Sequence, residues 1–308
     1  MTRPATLPLE IFERHRARLF GIAYRMLGTV QDAEDVVQES WLRWQDADAE
    51  AIRAPEGWLV AVATRLSIDR LRRAETERAA YVGNWLPEPI ATPERFAPPD
   101  RSSELASDLS IAFLVLLERL APEERAAFLL REVFAAGYDE ISRVLGKSEA
   151  ACRQMVHRAK ERVRRDERRF EAPPDAQERL LDQFVAALQS EDREGLVAIF
   201  SDDVAFVSDG GGKAKSVAEI VTGADRLAQL LVGFERSGRV IVERRALGAL
   251  EHRRTTINGE PAVITLIGGR AFCTTSFAVD GEGKISGVYR VLNPDKLKHI
   301  GVPALMPG

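Results

Sequence analysis

Cysteine and histidine are scarce in this chain of 308 residues, with two of the first (Cys152 and Cys273) and four of the second. Two cysteines so far apart exclude a disulfide framework, and with so few histidines no cluster of metal-ligand spacing arises. No metal and no cofactor is therefore expected. Long apolar runs are missing as well: nothing approaches the roughly 18 apolar residues of a membrane helix. The first ten residues also lack a basic-then-apolar targeting pattern, so no membrane partner is expected and the cytoplasm is the expected location. An excess of positive charge is absent too, since 43 Lys and Arg against 47 Asp and Glu give a net charge of −4. That balance argues against a nucleic-acid partner until the charges are located. Residues 148–170 hold eight Lys and Arg against four Asp and Glu, whereas residues 171–308 hold sixteen against nineteen. Positive charge is concentrated in one short segment.

What is present is an ordinary globular composition, 45% hydrophobic and 29% charged, which excludes wholesale disorder and fibrous architecture. The length suggests two or three compact units. Residues 9–74 carry apolar positions at three- and four-residue spacing with few breakers, the pattern of a helical bundle. Five prolines (Pro87, Pro89, Pro93, Pro98 and Pro99) then interrupt any period, over a length unusual for a loop inside a domain. Helical periodicity resumes at 109 and runs to 170. Beyond a second break at 171–175 two amphipathic helices, over 180–188 and 227–234, accompany strands expected at 204–208, 240–247, 262–267, 271–279 and 285–292, with a hairpin turn at 280–283. The expected fold is therefore multidomain: two all-α helical domains (1–74 and 109–170) joined by a Pro-rich linker (75–108), then an α+β domain (176–308) built on an antiparallel sheet.

Three segments carry chemistry. In residues 32–44 the side chains of Ala33, Val36, Val37, Ser40, Trp41 and Trp44 recur as one buried helical stripe, while Asp32, Asp35 and Glu39, with Gln38 beside them, crowd the outer face. Such a face is either plainly solvated or a dock for a basic partner surface. In residues 58–73 an apolar helix turns basic at Arg70, Arg72 and Arg73. Cations at a helix C-terminus complement its dipole; with Trp58 and Arg65 they also suit the backbone and bases of a separated DNA strand.

The third segment is the sharpest. Residues 138–145 read as a short helix, Gly146 and Lys147 as a turn, and Ser148 as the N-cap of a longer helix reaching about 165, which is helix-turn-helix spacing. Cys152, Met155, Val156, Ala159 and Val163 form the inner stripe of that helix. Arg153, Gln154, His157, Arg158 and Lys160 are left outside. Arg153 and Gln154 are the candidates to read base edges in a major groove, and His157, Arg158, Lys160 and Arg164 to meet phosphates.

In this order, and with this linker, the three segments resemble the extracytoplasmic-function sigma factors of the sigma-70 family. The resemblance implies that Asp32, Asp35, Gln38 and Glu39 bind core RNA polymerase at its clamp, and that Trp58, Arg65, Arg70, Arg72 and Arg73 meet the minus-ten element of promoter DNA. It implies further that the helix-turn-helix, with Ser148, Arg153, Gln154, His157, Arg158 and Lys160, meets the minus-thirty-five element near the polymerase flap. Within the family the chain is similar to the group with a C-terminal SnoaL-like (NTF2-like) extension. Three strings carry that likeness: Trp85, Leu86 and Pro87 in WLPEP; Asp209, Gly210, Gly211, Gly212 and Lys213; and Asn293, Pro294, Asp295, Lys296 and Leu297. The likeness implies that the extension acts on the sigma core within the same polypeptide.

The function implied is promoter-specific initiation of transcription, with no enzymatic activity. A small ligand in the C-terminal cone is a further partner that this fold admits. One alternative is a one-component helix-turn-helix regulator with a ligand domain, which leaves residues 32–44 and 58–73 unexplained. Another is an enzyme of the polyketide-cyclase type, for which Asp202, Asp203 and Asp209 are the carboxylates nearest the first strand of the C-terminal domain.

Overall fold

The computed structural model describes residues 6–48, 52–91, 109–167 and 174–300. The chain divides into two compact units. Unit 1 comprises residues 1–80, 94–109 and 114–165, and unit 2 comprises 81–93, 110–113 and 166–308.

Among the described residues unit 1 is built of helices. Helices α1 (Thr6–Leu27), α2 (Val30–Asp46) and α3 (Pro55–Ala79) form a bundle. Thr29 starts α2 by accepting from the Asp32 amide, which satisfies one of the free amides of a helix start. Pro55 starts α3, where its missing N–H costs nothing. Of the expected α2 stripe, Ala33, Val36, Val37, Ser40 and Trp44 are buried and Trp41 is half-buried against Phe12. The Trp44 indole donates to the Pro8 carbonyl at 2.9 Å, so its one polar atom is satisfied inside the core.

Beyond residue 109 the helical chain continues with α4 (Ile111–Leu117), whose residues 111–113 group with unit 2, α5 (Pro122–Phe128), a π-helical turn (Leu129–Val133), α6 (Tyr138–Leu145) and α7 (Glu149–Glu167), which belongs to unit 1 as far as residue 165. A buried arginine joins α5 to the bundle. Arg125 of α5 is 2% exposed and donates to the Met26 carbonyl of α1 at 2.7 Å and to Glu118 at 2.8 Å.

Unit 2 places α8 (Pro174–Gln189), α9 (Arg193–Ile199) and α10 (Ala224–Arg244) with a six-stranded sheet of β1 (Phe200–Asp209), β2 (Val221–Thr222), β3 (Leu250–Ile257), β4 (Glu260–Ile267), β5 (Arg270–Val279) and β6 (Ile285–Val291). The strand order is β2-β1-β6-β5-β4-β3. Phe184, Leu196, Phe206, Leu227, Leu231, Val263 and Val288 fill the space between the helices and the sheet. This is an α+β arrangement, as expected, with two departures from the expected detail.

The sheet is mixed rather than antiparallel, because β1 runs parallel to β6, with Phe206 opposite Val288. Residues 240–247 do not form a strand. Through Arg244 they extend α10, whose inner stripe of Leu227, Ala228, Leu231, Val232, Glu235 and Val242 keeps helical spacing and outweighs the β-branched run at 240–242. The strand lies instead at Leu250–Ile257, an edge strand too polar to show clean alternation. The expected hairpin turn is present: Gly283 takes φ +75° and donates to Asp280 between β5 and β6.

Candidate functional site

The helix-turn-helix of unit 1 is built by local rules. The α6 helix ends at Gly146 in the left-handed conformation (φ 65°, ψ 30°), which an L side chain resists and glycine adopts freely. Ser148 then caps α7 by accepting from the Ala151 amide at 3.2 Å. Every residue of the expected inner stripe is buried: Cys152, Met155, Val156, Ala159 and Val163. Arg153, Gln154, His157, Arg158 and Lys160 are all exposed on the other side. Arg153 stacks over Tyr138 with its guanidinium carbon 5.0 Å from the ring centre and pairs with Glu149 at 2.7 Å. Lys160 pairs with Glu132 at 2.6 Å, Arg158 lies 3.9 Å from Glu124, and His157 lies 3.9 Å from Glu161. Pairs between such surface cations and their partly exposed partners contribute ~0–1 kcal/mol each.

The candidate minus-ten residues have more varied surroundings. Trp58 is half-buried, its ring 5.6 Å from that of Trp44. Arg65 is turned onto the helix-turn-helix, donating to the carbonyls of Val144 at 2.9 Å and Arg143 at 2.7 Å. These are carbonyls of the last turn of α6, which have no partner within their helix. Arg72 pairs with Glu123 at 2.7 Å, and Arg73 is exposed. Arg70 is directed to the acidic face of α2, with Asp35 at 3.0 Å and Asp32 and Glu39 both at 3.8 Å. The two candidate sets, basic on α3 and acidic on α2, thus meet at Arg70. Gln38 remains exposed beside them.

In unit 2 the three marked strings meet at one point. Asp209, at the end of β1, is fully buried. Its Oδ1 accepts from the Tyr81 hydroxyl at 2.6 Å, and its Oδ2 accepts from the Leu86 amide at 2.9 Å and from Lys296 Nζ at 2.7 Å. Lys296 also donates to the Leu86 carbonyl, and its Nζ lies 4.2 Å from the centre of the Trp85 ring. The main-chain oxygen of Asp209 accepts from the Leu292 and Asn293 amides at 2.7 and 3.0 Å. Asn293 Nδ2 donates to the Tyr81 hydroxyl at 2.9 Å, its Oδ1 accepts from the Asp295 amide, and Asp295 pairs with Lys213. Pro294 stands in the turn between them, and Leu297 is buried.

The glycines of this knot have a steric reason. Gly211 has φ +58°, and a Cβ there would lie 2.2 Å from Asn293 Nδ2 and 2.9 Å from the Tyr81 hydroxyl; Gly212 has φ +68°, and its Cβ would lie 3.2 Å from Val82. A Cβ on Gly210 would lie 2.2 Å from the Ala214 carbonyl oxygen. The turn packs closely against Asn293, Tyr81 and Val82, and the side chain of Asp209 makes the polar contacts to residues 81–86. Burial and the hydrogen bond to Asp209 push the Tyr81 phenol well above its usual range, so it stays a donor at any physiological pH. Hydrogen bonds from Lys213 and Lys298 hold the Asp295 carboxyl below the usual carboxylate range.

The segment expected as linker is therefore anchored at its start. Leu86, Pro87, Glu88, Pro89 and Ile90 are buried on unit 2, the Ile90 amide donates to Asn258 Oδ1 at 2.9 Å, and the Asn258 amide donates back to the Ile90 carbonyl at 2.9 Å. The linker residues 92–108 lie outside the described residues, as do the side chains of 164–167. Tyr81 and Asn258 were not marked by the sequence. Of the carboxylates considered for catalysis, Asp202 and Asp203 are exposed and Asp209 is fully engaged.

Comparison with known proteins agrees with this geometry. Residues 11–77 match the Sigma-70 region 2 family, and residues 110–163 match the Sigma-70 region 4 family. Region 2 followed by region 4 defines a sigma-70-type transcription initiation factor. The chain is 36% identical to the ECF RNA polymerase sigma factor SigJ of Mycobacterium tuberculosis over 293 residues, spanning 92% of this chain and 91% of that one. It is 30% identical to the probable ECF RNA polymerase sigma factor SigI of the same species, spanning 92% of each. The crystal structure of the M. tuberculosis extracytoplasmic function sigma factor SigJ superimposes with a TM-score of 0.74 at 34% identity, covering 94% of this chain and 98% of that one. The chain belongs to the extracytoplasmic-function sigma factors, and it directs RNA polymerase to promoters to initiate transcription.

Proposed function

We propose that the roles within this sigma factor divide as follows. The acidic face of α2 (Asp32, Asp35, Gln38 and Glu39) docks core polymerase. The α3 residues Trp58, Arg65, Arg70, Arg72 and Arg73 engage the melted minus-ten element. The exposed side of α7 meets the minus-thirty-five duplex, with Arg153 and Gln154 on bases and His157, Arg158 and Lys160 on phosphates, while Ser148 sets where that helix begins. DNA engagement exchanges the intramolecular contacts of Arg65 and Arg72 for phosphates. The protein works in the cytoplasm, where its polymerase partner is, and has no catalytic residue of its own.

Unit 2 modulates this activity in cis and has room for a small ligand. The observation that carries the reading is the Asp209–Lys296 pair, because it fastens residues 81–90 to unit 2. Those residues continue directly from α3, so fastening them limits the reach of the tether to the second half of the sigma core. In vitro transcription with core polymerase tests it. Initiation should depend on the full chain, change when residues 293–297 are deleted, and change differently on truncation after residue 170. Identical activity of all three forms overturns modulation in cis.

A further inference from the structure

Unit 2 contains a cavity of about 370 Å³, within the ~300–1,000 Å³ range of small-molecule sites. Its walls are the buried side chains of Phe184, Leu188, Leu231 and Val263. Three large hydrophobic residues that line it are also exposed to solvent: Ile241, Leu247 and Phe272, at 47%, 43% and 42%. Only eight such exposed residues occur among the described residues, so their meeting at one opening marks it as a surface for apolar matter rather than scattered exposure.

The charges that line the cavity are not balanced. Glu235 is satisfied: it accepts from His252 Nε2 at 2.9 Å and from Arg239 Nε at 3.1 Å, and His252 Nδ1 is 3.1 Å from the Thr265 hydroxyl. Burial raises the Glu235 carboxyl, yet these hydrogen bonds outweigh it and hold the group below its usual range. Arg245, Arg270 and Arg290 also line the cavity, and none of the three has a carboxylate partner among the described residues. Arg290 is half-buried and pre-set. Its Nε donates to Cys273 Sγ at 3.1 Å, its guanidinium carbon stands 5.2 Å from the centre of the Phe234 ring, and neither Nη group has an acceptor among the described residues. A guanidinium fixed by its Nε and an aromatic face, with its terminal fork unused, suits a planar two-oxygen acceptor.

We infer that this cavity binds a single-chain amphipathic carboxylate, its chain among Phe184, Leu188, Leu231 and Val263 and its head on Arg290. The inference rests on the reading that unit 2 takes a small ligand, and it is independent of promoter-directed initiation. The chain of such a ligand buries apolar area in the cavity, while its carboxylate takes the open fork of Arg290.

Calorimetric titration of the full-length chain with decanoate and, separately, with 1-decanol is the test. Decanoate should bind saturably at one per chain, with 1-decanol at least tenfold weaker. Arg290→Met should bring decanoate down to the affinity of 1-decanol and leave 1-decanol unchanged. Equal affinity of the two ligands for the wild-type chain, no saturable binding of decanoate, or a folded Arg290→Met chain that binds decanoate as the wild type does would each overturn the inference. The wild-type comparison decides the matter even if the variant does not fold. Failure in this titration leaves transcription from a promoter as the separate measure of the sigma function.

Discussion

Lys296 and Asp209, 87 residues apart, form an ion pair at 2.7 Å with side-chain exposures of 8% and 0%. Removing one partner of a buried pair strands the other, at a cost of about 3–5 kcal/mol, whereas removing both charges costs far less. Lys296→Met should therefore destabilise unit 2 by that order, and Lys296→Met with Asp209→Asn should recover much of the loss. Chemical denaturation checks the energies. Protease cleavage within residues 81–90 checks the release, rising in the single variant and falling back in the double. Equal stability of the single and double variants would show that the pair is uncoupled.

A smaller change attacks the same knot from the backbone. Gly211→Ala places a methyl 2.2 Å from Asn293 Nδ2 at a φ of +58°. The strained backbone alone costs about 1 kcal/mol and the clash adds to it. The expected loss is ~2–3 kcal/mol of unit 2 stability. By contrast Gly281→Ala, where a Cβ meets nothing within 4 Å and φ is not positive, should be within about 0.5 kcal/mol of wild type. Thermal melts of the two variants side by side decide this.

How much of this was legible in the sequence depends on the range of the interaction. Burial of Cys152, Met155, Val156, Ala159 and Val163 followed from i, i+3, i+4 spacing, and Gly146 and Ser148 announced the turn and cap, because those rules act within one helical turn. The strings around Trp85, Asp209 and Lys296 were visible as strings, yet their meeting on one carboxylate is a tertiary event that no local pattern encodes. Tyr81 went unmarked for that reason: it precedes the proline-rich stretch and looks like ordinary linker until its hydroxyl is seen on Asp209. Residues 240–247 misled because Val240, Ile241 and Val242 favour strands locally, while the position of Val242 on the inner stripe of α10 decided for helix. The parallel pairing of β1 with β6 was equally hidden, since strand partners are chosen by packing.

The proposed division of the exposed α7 face into base and phosphate contacts predicts two distinct phenotypes. Gln154→Ala should cost ~1–3 kcal/mol at a single base pair of the upstream element and relax selectivity there. Arg158→Ala should weaken all sequences alike and lower the slope of log affinity against log salt by about one. Binding of the polymerase holoenzyme to a panel of single-base promoter variants at several salt concentrations measures both. A change of base preference at Arg158, or a uniform loss at Gln154, would reverse the assignment.

The acidic face of α2 has its own test. Asp35 and Glu39 face Arg70 across partly exposed distances of 3.0 and 3.8 Å, and such pairs stabilise by only ~0–1 kcal/mol. Asp35→Lys with Glu39→Lys should therefore leave the thermal midpoint within a few degrees of wild type while lowering affinity for core polymerase at least tenfold. Arg70→Met is the control, since it removes the ion pairs of Asp35 and Glu39 to Arg70 and keeps the acidic face. Competition against the wild-type chain for core polymerase reads the difference, and equal losses in the two variants would assign the effect to the ion pairs instead of the face.

Stability against pH turns on Glu260 at the start of β4, beside Gln177, Leu180 and Phe277. Burial pushes its carboxyl up to about 7, only partly offset by a hydrogen bond from Gln177. The unfolded chain gives up this proton near pH 4.5, before the folded one does, so the contribution to stability is full below that pH and is lost as pH rises through 7. Glu260 keeps part of its surface in water, which limits the loss to ~1–2 kcal/mol. Denaturation of the wild type and of Glu260→Gln at pH 5 and pH 8 isolates the effect, because other groups cancel between the two chains. The variant should gain on the wild type by that amount at pH 8, and the gain should shrink to a small part of it at pH 5; a gain that is the same at both values would mean that Glu260 is ionised in the fold throughout.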